Sequence, residues 1–186
     1  MPVIERPWTD FSQGLMRPTG SPLDLALSGP GFFSVNGPSG PLYTRNGSFR
    51  VATNGSLVTT DGYAVRGTDG AAVTVAAGSP IDISSDGTVR QDGNVIGQLE
   101  IADFTSTAGL AKQGGNYFRS AGPPAGTPPP NTSVQQGHLE DSNTAAAEAA
   151  GRLISVMRQF EMLQKAVSLG AEMNQHAIQD VARVGQ

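Results

Sequence analysis

The sequence predicts a mainly β fold, an antiparallel meander or small barrel-like sandwich, followed by one long C-terminal helix able to form a coiled coil. Three observations predict it. Short apolar runs from Leu23 onward are separated by Asn-Gly and Asp-Gly pairs. The last stretch, from about Ser142 to Val184, carries apolar or small residues at alternating steps of four and three. A proline-rich stretch over residues 121–133 stands between the two patterns. At 186 residues the chain has room for one ordinary domain and an appendage. The expected division is an extended segment over 1–22, a β-rich core over 23–120, a proline-rich linker and return segment over 121–141, and the helix over 142–186.

Residues 1–22 are turn-rich, with Pro2, Pro7, Gly14, Pro18, Gly20 and Pro22, and read as an extended segment draped over a neighbour or the domain. Trp8, Phe11 and Leu15 are its large anchors. The apolar runs that follow are Leu23–Leu27, Phe32–Val35, Leu42–Thr44, Ser48–Val51, Leu57–Thr59, Tyr63–Val65, Val73–Val75, Ile81–Ile83, Val89, Val95–Ile96 and Leu99–Phe104. Between them lie Asn46-Gly47, Asn54-Gly55, Asp61-Gly62, Asp69-Gly70, Asp86-Gly87 and Asp92-Gly93. These pairs favour tight hairpin turns in which both central residues take positive φ. Short strands at such spacing read as an antiparallel meander. Leu110 to Arg119 reads as a turn returning Tyr117 and Phe118 to the core. Residues 121–133 read as a linker, partly polyproline II.

In the last stretch the seam runs Ala146, Ala149, Leu153, Val156, Phe160, Leu163, Val167, Gly170, Ala177, Val181 and Val184, with Asn174 placing an amide on it. The mean step of 3.5 keeps these residues on one side of a supercoiling helix, and a polar seam residue can fix register. Asp141, Ser142, Asn143 and Thr144 offer caps, and no proline interrupts the run. About six heptads exceed the three or four that a coiled coil asks for, and about forty residues make a rod roughly 60 Å long. One long amphipathic helix folded back on its own domain is the plainer reading. The length argues against it, and the small residues make the seam too thin for a lone two-helix pair, so a partner supplied by assembly is expected.

Composition narrows the function. A net charge of −4 with thinly spread arginines argues against nucleic acid. The absence of cysteine excludes disulfides and thiolate metal sites. No apolar run of about 18 residues is present, so no membrane insertion is expected. Met1 to Asp10 has neither a basic start nor an apolar core, so a cleaved secretory signal is not expected.

No catalytic constellation is evident. His138 and His176 are far apart and lack zinc-ligand spacing. Asp86, Asp92 and Asn94 do not follow a calcium-loop pattern and read as hairpin turns. Gly29-Pro30-Gly31 precedes an apolar strand and lacks the lysine of a phosphate loop. Nothing brings Asp24, Glu100 and Asp103 together as acid and base, and no serine elbow appears. Asn46-Gly-Ser48 and Asn54-Gly-Ser56 match glycosylation sequons but read as turns; Asn131-Thr-Ser133 matches too. No enzyme, cofactor, metal or small-molecule substrate is expected.

Three stretches carry a family resemblance. Thr19, Gly20, Leu23, Asp24, Ala26, Gly29, Gly31, Phe32 and Phe33 spell a Thr-Gly…Leu-Asp…Gly-x-Gly-Phe-Phe signature. Tyr43-Thr-Arg45-Asn-Gly47-Ser-Phe49 is followed by Gly55-Ser-Leu-Val-Thr-Thr-Asp-Gly-Tyr63. Gln136-Gly-His-Leu-Glu-Asp-Ser-Asn143 leads into the helix, which carries Arg158, Phe160, Glu161 and Lys165. Together they resemble the flagellar basal-body rod and hook protein family over most of the chain, and Ser21-Pro22 ahead of Leu-Asp looks most like its proximal-rod member. The resemblance implies an axial structural subunit located in the periplasm-spanning rod of the bacterial flagellar basal body. Its β domain would face outward and its terminal helices would pair in the core of a helical tube, with other rod and hook subunits as partners. Such a tube needs a head-to-tail interface that does not close. Interface candidates are then Leu153, Val156, Phe160, Leu163, Val167, Gly170, Asn174 and Val181. Gly29 and Gly31 would supply tight turns, Phe32 and Phe33 would anchor the sheet, and Asp24 would cap or hydrogen-bond a turn. Family members begin with an Asn-rich N-terminal helix, and this sequence is read as starting after it. Its C-terminal helix is therefore expected to be unpaired or self-associated in isolation. The rival readings are a trimeric fibre or adhesin with β heads on a coiled-coil stalk and, more weakly, a carbohydrate-binding or hydrolytic β domain.

Overall fold

The structure, a computed structural model, describes residues 9–76, 78–104, 106–122, 124, 131–143 and 153–170. The chain forms two compact units, Met1–Asn143 and Thr144–Gln186. Among the described residues, the first is antiparallel β with one short 3-10 turn, Thr107–Gly109. Its strands are β1 (Met16–Pro18), β2 (Leu25–Ser28), β3 (Phe32–Gly37), β4 (Gly40–Thr44), β5 (Phe49–Val51), β6 (Leu57–Thr59), β7 (Ala64–Val65), β8 (Ile81–Ile83), β9 (Thr88–Gln91), β10 (Asn94–Gln98), β11 (Ile101–Ala102), β12 (Leu110–Gly114), β13 (Tyr117–Ser120), β14 (Ser133–Gln136) and β15 (His138–Glu140).

An eight-stranded sheet runs β12-β13-β4-β3-β7-β6-β5, with β11 also on β3. The antiparallel β architecture is the expected one; the end strands of this sheet do not pair, so it stays open and no barrel closes. Three smaller sheets, β10-β9-β8, β14-β2 and β1-β15, complete the unit. The core lies around β3. Alternation along a strand sends Phe32 and Phe33 to opposite faces. Phe33 joins Leu25, Leu27, Phe49, Leu57, Val65, Val89, Leu99 and Ile101 in the main cluster. Phe32 packs instead with Tyr43, Ala102, Phe11, Phe104 and Phe118. Both faces of β3 are covered, which is why Phe32–Val35 reads as a continuous apolar run and not as an alternating one.

The turns depart from expectation in an informative way. Of the six Asn/Asp-Gly pairs, Asp92-Gly93 alone has positive φ at both residues, 51° and 80°. Gly55, Gly62, Gly70 and Gly87 instead donate their N–H to Ala52, Thr59, Gly67 and Ser84 respectively, each three residues back. In these four the glycine alone has positive φ, a type I turn closed by a left-handed glycine. The side chains of Asn54, Asp69 and Asp86 accept an N–H from the residue two further on, a local bond that favours Asn and Asp there. Asn46-Gly47 is not a hairpin at all. It links β4 to β5, which do not pair with each other.

Val73–Val75, expected as a strand, makes isolated bridges only, Thr74 with Ser56 and, just before it, Ala72 with Arg66. Leu110–Arg119, expected as a turn, is the β12–β13 hairpin. The segment expected as linker and return contains β14 and β15, which pair with β2 and β1. Most of the proline-rich stretch lies outside the described residues. Of the expected N-terminal anchors, Phe11 packs against Phe32 and Phe118, Leu15 is 82% exposed, and Trp8 is outside the described residues.

The β12–β13 hairpin is pinned by Tyr117. Its hydroxyl lies 2.7 Å from Asp61 Oδ2 and 2.9 Å from Thr59 Oγ1. A carboxylate only accepts, so the phenol donates to Asp61 and accepts from Thr59. Burial, assisted by the Asp61 charge, pushes the Tyr117 phenol up to about 12 from 10. A raised phenol contributes stability that is complete below pH 10 and lost as pH rises from 10 towards 12. A rise of that size corresponds to roughly 2–3 kcal/mol. Urea unfolding at pH 9.5 and 11.5 should show the part of that loss that falls in this window, about 1.5–2 kcal/mol, in the parent chain, and a loss smaller by about that amount in Tyr117→Phe; equal losses would refute it.

The second unit contributes one described element, α1, residues 153–170. Leu153, Ile154, Val156, Met157, Phe160, Met162, Leu163, Val167 and Leu169 are each more than half exposed. At 3.6 residues per turn, Leu153, Val156, Phe160, Leu163, Val167 and Gly170 share one face. No described helix is long and apolar enough to cross a membrane.

Candidate assembly site

The incoming chain, residues 9–18, and the outgoing chain, residues 138–143, run antiparallel. Their core is the β1–β15 ribbon, with Met16 opposite Glu140 and Pro18 opposite His138. At its base Thr19 and Gly20 donate backbone N–H groups to Gly137 O, and Thr19 Oγ1 accepts from Ser21 N–H. Gly137 N–H in turn donates to Asp24 O. Asp24 hydrogen-bonds here through its backbone, its N–H to Ser21 O and its carbonyl from Gly137 N–H.

At the outer end Asn143 Nδ2 donates to Asp10 O, Ser12 O and Ser12 Oγ. Gly14 N–H donates to Glu140 Oε1 at 2.8 Å, and a Cβ at Gly14 would sit 1.9 Å from Asp141 O. Arg17 and Asp141 form an exposed pair at 3.3 Å, of a kind that contributes little.

Between these ends stands Arg45. Its Nε donates to Glu140 Oε2 at 2.9 Å, Nη1 to Gly29 O and Gly31 O at 2.8 Å each, and Nη2 to Leu27 O at 3.3 Å. The planar fork thus joins the end of β2, the Gly29–Gly31 turn and β15. Gly29 and Gly31 take φ of 101° and 114°, and a Cβ on Gly29 would lie 2.2 Å from Asn131 O. Both demand glycine, as expected of tight turns. Arg45 and Glu140 are 22% and 9% exposed. Removing either partner strands the other's charge in a poorly solvated place.

The three signature stretches therefore meet in space. Phe32 and Phe33 anchor the sheet, Tyr43 packs edge-on to Phe104 at 4.8 Å, and Phe49 packs on Phe33 at 5.3 Å. Leu23 lies against the main cluster. Glu140 stands in the third signature stretch, but the sequence assigns it no role. It lies 95 residues from Arg45, with no local signal of the pairing. The seam residues Leu153, Val156, Phe160, Leu163, Val167 and Gly170 are on α1, while Asn174 and Val181 lie outside the described residues. Beside the ribbon opens a groove of about 380 Å³ lined in part by Phe11, Phe118, Lys112 and Asp141. Among the described residues no group of three or more His, Asp or Glu side chains could hold a metal.

Comparison with known proteins gives two family matches. Residues 26–95 match the flagellar hook protein FlgE/F/G D1 domain, and residues 135–180 match the C-terminal region of flagellar basal body rod FlgEFG proteins. The flagellar basal-body rod protein FlgF of Caulobacter vibrioides is 31% identical over 94% of this chain and 72% of the relative. FlgG of Buchnera aphidicola subsp. Schizaphis graminum is 34% identical over 89% and 67%. FlgG of Agrobacterium fabrum is 36% identical over 87% and 66%.

Proposed function

The chain belongs to the flagellar basal-body rod protein family, and on that premise we propose that it is a structural, non-enzymatic subunit of the bacterial flagellar rod, assembling with copies of itself and with other rod or hook subunits through its C-terminal helix. Beyond the family itself, one observation carries the reading. The α1 helix holds a heptad face, Leu153, Val156, Phe160, Leu163 and Val167, that is more than half exposed along its length. Eighteen residues of isolated helix are marginal in water, so this face gains stability by meeting other helices. In the sequence Asn174 and Val181 continue the same heptad spacing, and the proximal part of the rod is the position we favour, on Ser21-Pro22 ahead of Leu23-Asp24.

Light scattering after size exclusion, over a range of concentrations, tests this. The full chain should grow in mass with concentration and without a fixed end point. The double substitution Phe160→Asp with Leu163→Asp should abolish that growth and leave thermal unfolding of the β unit within a degree or two. A concentration-independent trimer would replace the rod reading with the stalked fibre. A monomer at all concentrations with a fully stable helix by circular dichroism would remove the assembly role of α1.

A further inference from the structure

We infer that Arg45 is a positioning residue that bolts the β1–β15 ribbon to the β unit, so that residues 9–18 and 138–143 are held together at one place on it. For its purpose this rests on the assembly reading above; its physics does not.

The ribbon is a two-stranded sheet of its own, paired with no third strand among the described residues. Such ribbons are marginal in water. This one is fastened at its base through Gly137 N–H and Asp24 O. Without a second attachment it could pivot there. At the outer end the incoming side is held by Phe11 against Phe32 and Phe118 and by Gln13 Oε1 accepting Gly29 N–H. The outgoing side is held by Glu140. One carboxylate oxygen takes Gly14 N–H from the incoming strand, and the other takes Arg45 Nε–H from the unit. A single carboxylate thus ties both strands to one guanidinium.

The guanidinium itself is immobilised. Three carbonyls, of Leu27, Gly29 and Gly31, hold its other nitrogens, and two of those carbonyls belong to a turn that demands glycine. Its direction is therefore set by the β unit before the ribbon docks. A lysine would bring the charge without the fork, and one ammonium cannot meet the carboxylate and three carbonyls together. The role is to transmit orientation from a rigid turn to β15.

Hydrogen exchange by mass spectrometry on the full chain tests the bolt directly. In Arg45→Lys, amides of residues 14–17 and 138–141 should exchange at least about tenfold faster. Amides of β3, β4 and β6 should stay within about twofold. Glu140→Gln, which keeps a neutral acceptor, should give a smaller loss in the same places. In the Arg45→Lys background Glu140→Gln should add less than it does alone, because the two share the Arg45–Glu140 contact, while Glu140 keeps its separate bond to Gly14. Unchanged ribbon protection in both single variants would overturn the inference. So would loss of protection throughout the unit or failure of Arg45→Lys to fold, either of which would make Arg45 a general stabiliser. Sedimentation of the same variants separates this from the functional reading. A loosened ribbon with undiminished assembly would leave Arg45 the bolt and remove its purpose, whereas a chain that never assembles leaves the exchange result standing.

Discussion

Gly47→Ala should destabilise the β unit by about 3–5 kcal/mol, a large share of the roughly 5–15 kcal/mol that holds an ordinary domain together. The cause is space and not backbone angle, since Gly47 is not among the positive-φ glycines. A Cβ there would lie 1.8 Å from Leu25 O and 3.1 Å from the Phe33 ring. The ring could yield; the carbonyl cannot without losing Leu25 N–H to Gly47 O, a 3.0 Å bond that lays the 46–48 loop against β2. Gly62→Ala is the matched control. Gly62 has φ 88°, and a methyl group there would meet nothing within 4 Å, so it should lose only the conformational cost of about 1 kcal/mol. Chemical denaturation of the two variants checks the contrast, and equal losses would show that the close approach at Gly47 is not what constrains it.

Phe33→Ala should be nearly as severe, about 3–5 kcal/mol, whereas Phe33→Leu should lose about 1–1.5 kcal/mol. Phe33 is fully buried on the central strand, edge-on to Phe49, and stands between β2 and the residues of β6, β9 and β11 in the main cluster. Strands on several sides limit how far the cavity can collapse. Phe32→Ala should lose less, because its neighbours Phe11, Phe104 and Phe118 are themselves partly exposed and can shift. Urea midpoints for the three variants rank the two faces of β3. A Phe32 loss equal to or above that of Phe33 would mean that the aromatic face, and not the aliphatic cluster, is the main core.

Much of the site was legible in the residues and little of its geometry was. Tight turns at Gly29 and Gly31 came from the family resemblance, and their φ of 101° and 114° lies in the region that glycine enters freely. Asn54, Asp61, Asp69 and Asp86 were readable as turn residues, but the type was not. The same dipeptide serves a two-residue turn or a type I turn closed by glycine, and strand register decides which. Asn46-Gly47 looked like a fifth such turn and is instead a close approach to β2, a contact with a distant segment that no local pattern announces. Val73–Val75 has the composition of a strand yet forms only isolated bridges, because pairing is set by what lies alongside.

The class of fold, most of the short strands from Leu23 to Ala102, the heptad spacing of the last stretch and the three signature stretches are legible in the residues alone. Those follow from propensity, period and turn chemistry, which act within a few residues. The folded chain, and no local pattern, makes the signatures converge on one arginine, sets Glu140 against Arg45, and pairs the return segment, as β14 and β15, with β2 and β1. These are contacts between segments about a hundred positions apart in the chain, and they are selected by which carbonyls and carboxylates the folded sheet brings within hydrogen-bonding distance of the guanidinium. A directional bond of that kind leaves no periodicity in the chain to read.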